Sequence, residues 1–160
     1  MDQPTAEDLL TQLERLVGTW SVESRWPGDD EPWPRGGRTT FEWHDSRQHL
    51  VQRSTVELPE APDSVSIIGC DAANSTWFQL YTDERGVCRV YEMSIDEREW
   101  KLWRSGQPFD QRFSVVLDDD GTTMTGSWDR VDNGALVVDF EQTFRRVAGS
   151  LDSTGPRHIA

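Results

Sequence analysis

A chain of 160 residues with a formal net charge of −13 is one domain long and can bury a core without metal or disulfide staples. Its acidity repels phosphate backbones and anionic lipid surfaces, so nucleic acid and membrane are excluded as expected partners. The 2 cysteines, Cys70 and Cys88, form no Cys-x-x-Cys pair; a secreted disulfide scaffold is excluded and free thiols are expected.

The first residues, Met-Asp-Gln-Pro-Thr-Ala-Glu-Asp, are acidic where a signal peptide needs a basic region, and no apolar stretch reaches the length of a membrane span. A cytoplasmic protein is expected. The 8 tryptophans are many for this length, and aromatic faces on that scale fill a core or line a cavity.

Residues 5–17 place Leu9, Leu10, Leu13, Leu16 and Val17 at helical spacing, with Thr5 as N-cap, Glu7 and Asp8 in the first turn and Gly18 at the exit. One short helix with one apolar stripe is predicted, packed on its own domain because about 12 residues are marginal alone. At Gly18 the period switches from 3.6 to 2: Trp20, Val22, Ser24 and Trp26 share one face of a first strand. Residues 27–37 hold 3 prolines and 3 glycines and form the longest loop. Within it Trp33 either tucks back onto the domain or closes over a ligand.

Further strands are predicted at 38–45, 49–58, 64–71, 76–83, 87–95, 99–104, 109–117, 122–131 and 136–146, separated by hairpin-length turns. Strands joined only by short turns are antiparallel neighbours. The predicted fold is therefore all-β: an antiparallel up-and-down β-barrel of about ten strands with a short N-terminal α-helix, closed to remove both edges. Residues 1–147 make the domain, and 148–160 read as a flexible tail.

The helix, the Gly18-Thr19-Trp20 start of the first strand and the arginine-bearing last strand together resemble the lipocalin and calycin superfamily. The resemblance implies that Trp20 sits at the closed end, covered by an arginine of the last strand. There Leu136, Val138, Phe140, Gln142 and Phe144 read as the apolar face, which selects Arg146 over Arg145. Phe41-Glu-Trp43, Gln52-Arg-Ser54, Arg89-Val-Tyr91, Leu102-Trp-Arg104 and Gln111-Arg-Phe113 are similar to a group of uncharacterised bacterial lipocalin-like domain proteins. The strand count is nearest to fatty-acid-binding-protein-like and nitrobindin-like barrels. The nitrobindin likeness implies a haem-ligating histidine on a late strand; the last two strands here carry none, so haem is disfavoured and no cofactor is expected. His44 and His49 flank one turn and read as solvated.

No Gly-x-Ser-x-Gly, His-Glu-x-x-His, phosphate loop or calcium loop is present, and no metal-ligand spacing is found, so no metal site is expected. What remains is an inward polar set. Alternation aims Gln52, Gln111 and Gln142 among apolar neighbours, where amides must bond one another, water or a ligand. Arg89 and Arg104 have less certain direction; an inward guanidinium suits an anionic head group. The candidate ligand-binding residues are Trp43, Gln52, Tyr91, Arg104, Gln111, Phe113, Trp128 and Gln142, with Trp20 and Arg146 structural. Trp43, Trp77, Trp103 and Trp128 read equally as plain core, and the polar groups as pairing among themselves.

The expected function is binding of a small hydrophobic or amphipathic molecule inside the barrel. Two alternatives stay open. One is an isomerase- or cyclase-type enzyme using Tyr81, Tyr91 and Glu92 for proton transfer. The other is a dry structural barrel or interaction domain, and a homodimer is compatible with either.

Overall fold

The computed structural model describes residues 3–57, 61–106 and 110–148. Ten strands follow one helix, α1 (Ala6–Gln12): β1 (Gly18–Arg25), β2 (Gly37–Trp43), β3 (Leu50–Val56), β4 (Ser64–Asp71), β5 (Thr76–Asp83), β6 (Cys88–Ile95), β7 (Glu99–Arg104), β8 (Gln111–Leu117), β9 (Thr123–Asp132) and β10 (Ala135–Arg146). Each pairs antiparallel with its sequence neighbours, and β1 also pairs with β10, so the meander closes as a barrel with no free edge. The expected start of the eighth strand at Phe109 and nearly all of the expected tail lie outside the described residues.

Helix α1 begins where the sequence places it. The Thr5 hydroxyl accepts from the Asp8 amide at 3.1 Å and the Asp8 carboxylate accepts from the Thr5 amide at 2.9 Å, a closed capping box. The helix tightens into a 3-10 turn at Leu13–Leu16, which sinks Leu9, Leu13 and Leu16 into the end of the barrel. Three indoles tie this plug to the wall: Trp20 donates to the Leu16 carbonyl at 2.9 Å, Trp77 to the Leu9 carbonyl at 2.8 Å and Trp43 to the Glu14 carboxylate at 3.1 Å. Part of the tryptophan excess thus belongs to the seal between helix and barrel. Above the plug the core is completed by Phe41, Leu50, Ile68, Met93, Trp100 and Val115.

Two features that alternation does not reveal shape the other end. The first is a bulge on β10, where the pairing jumps from Val138↔Asp129 to Phe140↔Trp128. Asp139 is the extra residue, so the strand changes face: Phe140, Gln142 and Phe144 turn inward, whereas Leu136 and Val138 are exposed. The continuous apolar face expected over 136–144 is corrected accordingly. The second is Gly126 on β9, where a Cβ would stand 1.8 Å from the Ser114 carbonyl oxygen of β8. Only glycine permits that backbone approach. In the long loop Trp33 tucks back, its ring 5.3 Å from Phe140 and 4.9 Å from Trp26.

Candidate functional site

Filling one end of a ten-stranded barrel with the helix plug leaves room at the other. There a cavity of about 430 Å³ lies between two unlike walls. One wall is aromatic: Trp100 and Leu102 of β7, Phe113 of β8, Trp128 of β9 and Phe140 and Phe144 of β10. Its rings meet edge-on or tilted, with Phe113 5.0 Å from Trp128 and 4.9 Å from Trp100.

The facing wall, from β2 to β5, is polar. Thr39 and Ser54 share a hydroxyl hydrogen bond of 2.7 Å; the Gln52 amide donates to both, at 3.2 and 3.4 Å; and the Gln79 amide donates to Gln52 Oε1 at 3.1 Å. Gln79 Oε1 is buried and has no partner among the described residues. Strand period 2 places these side chains inward at successive registers, Thr39↔Ser54 and Gln79↔Tyr91.

Between the walls stands a third group on β6 and β8. Arg89 Nη1 donates to Gln111 Oε1 at 3.1 Å and the Tyr91 hydroxyl donates to the same oxygen at 2.8 Å. Burial raises the Tyr91 pKa, opposed by Arg89 and Arg104. Beside it the Tyr81 hydroxyl donates to Asp83 at 2.8 Å; burial and that carboxylate push Tyr81 up to about 12. Asp83 in turn is held well below the usual carboxylate range, first by the Arg85 guanidinium at 2.7 Å and then by Tyr81. Both phenols are shifted towards the protonated form and donate their hydrogen bonds, Tyr81 to Asp83 and Tyr91 to Gln111.

Among the described residues, the charged ones that line the cavity are Arg38, Arg85 and Arg89. Arg38 and Arg85 are exposed, and Arg85 is ion-paired with Asp83, whose carboxylate also accepts from Tyr81. Arg89 is the half-buried cation of the site.

Of the candidate ligand-binding residues, Gln52, Tyr91, Gln111, Phe113, Trp128 and Gln142 all line the cavity, and so does Tyr81. Three candidates lie elsewhere. Trp43 faces the helix plug and its indole is committed to Glu14. Arg104 is not among the residues that line the cavity; its guanidinium stands over the Tyr91 ring, 6.0 Å from its centroid. Glu92 is exposed on the outer face, paired in register with Trp103. Sequence reasoning missed Gln79, although Trp77, Gln79 and Tyr81 alternate as clearly as the strand that yielded Gln52. It also left the direction of Arg89 open and missed Arg38 and Arg85. Arg38 precedes the inward Thr39 on β2 and is exposed, and Arg85 lies in the turn between β5 and β6, so alternation aims neither inward.

The two histidines stack at 4.6 Å across the β2–β3 turn, and burial followed by the neighbouring His44 lowers the pKa of His49. Cys70 and Cys88 are unbridged. No helix among the described residues is long and apolar enough to cross a membrane.

No family model matches the chain, and no curated protein does. Among solved structures, the crystal structure of Rv2717c from M. tuberculosis matches with a TM-score of 0.60 at 13% identity, covering 87% of this chain and 97% of that chain. At that identity the likeness speaks for the fold alone: a closed, ten-stranded antiparallel barrel.

Proposed function

We propose that the barrel binds a small amphipathic anion, its apolar body against Trp128, Phe113 and Phe140 and its charged end at Arg89. The observation that carries this reading is Arg89: a half-buried cation that lines the cavity beside Gln111 and Tyr91, facing the space bounded by the aromatic wall. A half-buried guanidinium held by Gln111, whose amide oxygen Tyr91 also bonds, is preorganised for a carboxylate, sulfonate or phosphate. The volume suits a molecule of modest size, within the range of ordinary ligand pockets. The finer likeness to bacterial lipocalin-like domain proteins belongs to this reading as well, since enclosure of a small ligand is what such barrels permit.

Two fluorescent naphthylamines test it. The anion 1-anilinonaphthalene-8-sulfonate is expected to bind one per barrel and more tightly than neutral N-phenyl-1-naphthylamine. Arg89→Leu is expected to weaken the anion about tenfold and to leave the neutral amine unchanged. Equal affinity for the two dyes, unaltered by Arg89→Leu, would contradict the reading.

A further inference from the structure

The polar wall has a direction. Thr39 and Ser54 bond each other, Gln52 donates to both, and Gln79 donates to Gln52, so the Gln52 amide is committed at both of its ends. Gln79 is only 5% exposed, lines the cavity, and ends in an amide oxygen with no partner among the described residues. Buried amide oxygens are nearly always paired. Turning Gln79 to seek another donor would break its bond to Gln52, the Ser66 hydroxyl in the same wall makes no bond to its oxygen, and the aromatic wall offers only ring edges. The missing partner therefore comes from whatever occupies the space.

Register fixes where this orphan stands relative to the anion site. Gln79 pairs with Tyr91, and Arg89 lies two residues along the same strand as Tyr91, about 7 Å nearer the mouth at the usual strand rise. The cavity is also bounded by Phe113 and Trp128, which suit a flat ring.

We propose that the molecule bound in this barrel carries a hydroxyl group that hydrogen-bonds Gln79, in addition to the anionic group at Arg89: a short hydroxylated acid with a flat apolar body. This rests on the binding reading above and narrows it. A hydroxyl is the fitting group because it both donates and accepts, and so meets the outer atom of the Gln79 amide in either orientation of that side chain.

The test compares 3-(4-hydroxyphenyl)propanoate with 3-phenylpropanoate, which lacks only the hydroxyl, by calorimetric titration into the full-length protein. Wild type is expected to bind the hydroxylated acid about five- to tenfold more tightly. In Gln79→Leu that preference is expected to vanish while affinity for 3-phenylpropanoate stays the same, which also shows the cavity intact. If the variant does not fold, the wild-type pair decides by itself. Equal binding of the two acids overturns the proposal, since water would then be serving Gln79. Binding of neither acid also overturns it, and uptake of 1-anilinonaphthalene-8-sulfonate in the same preparation would then leave the broader binding reading standing.

Discussion

The guanidinium carbon of Arg146 lies 4.1 Å from the centroid of the Trp20 ring, and the two residues are directly paired across the seam where the last strand meets the first. The same guanidinium donates to the carbonyls of Val17 at 2.5 Å, Arg15 at 2.9 Å and Gly121 at 3.1 Å. One side chain thus ties together the helix exit, the β8–β9 turn and the barrel closure, and its cationic form stays over an indole face despite the burial that lowers its pKa.

Arg146→Met is accordingly expected to cost about 2–4 kcal/mol, because three carbonyls lose a charged donor at once. The adjacent Arg145 forms an exposed ion pair with Glu23 at 3.0 Å. Arg145→Met is expected to cost less than about 1 kcal/mol. Urea denaturation of the two variants measures the contrast, and equal losses would contradict the role given to Arg146.

Gly126→Ala is expected to be among the most damaging single-atom changes in the chain. Its new methyl would overlap the Ser114 carbonyl, backbone that cannot yield without parting β8 from β9. A loss of about 3 kcal/mol or more, or failure to fold, is expected in thermal denaturation. A variant within about 0.5 kcal/mol of wild type would show that the strands approach less closely.

Tyr81 and Tyr91 are the only 2 tyrosines, so a phenolate titration reads this site alone. Both pKa values are raised, Tyr81 to about 12. A phenol with its folded pKa above its unfolded value adds stability that is complete below about pH 10 and is lost as pH rises through the folded value. Native protein is expected to show little phenolate absorbance at pH 10, where the denatured protein is about half ionised. Coincident native and denatured titrations would place the hydroxyls in water.

Asp83 carries the opposite sign. Its depressed pKa means its contribution is present above the ordinary carboxylate value and is lost as pH falls towards the folded one. The stability advantage of wild type over Asp83→Asn is therefore expected to be largest near neutrality and to shrink below about pH 4. An advantage constant from pH 7 to pH 2, measured by urea midpoints, would contradict the ion-paired state.

The thiols differ in reach. Cys88 is exposed, whereas burial, then the neighbouring Asp71, raises the pKa of the half-buried Cys70. A disulfide-exchange reagent is expected to modify Cys88 quickly and Cys70 slowly in native protein, and both at once in denaturant. Two equal fast phases would contradict the burial of Cys70.

The barrel was legible in the chain because antiparallel meanders write their strands as period-2 runs cut by short turns, and 64–71, 76–83 and 99–104 are recovered at their bounds. Inward amides were legible for the same reason: Gln52 and Gln111 each interrupt an apolar face. The bulge at Asp139 was not, because 136, 138, 140, 142 and 144 are apolar or amide in unbroken alternation, and only pairing with β9 shows that the face changes midway. Trp43 was misplaced because alternation gives the side of the sheet and not the height along the barrel. It faces inward, but at the level of the helix plug. Arg89 at the cavity was hidden by averaging, since a net charge summed over 29 acidic and 16 basic residues says nothing of which line the space.

The central claim is occupancy of the cavity, and native mass spectrometry of freshly purified protein set beside the denatured spectrum tests it most directly. A reproducible adduct of a small anionic molecule, lost on denaturation and diminished in Arg89→Leu, is the predicted result. A clean apo mass, unchanged after incubation with a lipid and metabolite extract, would contradict it.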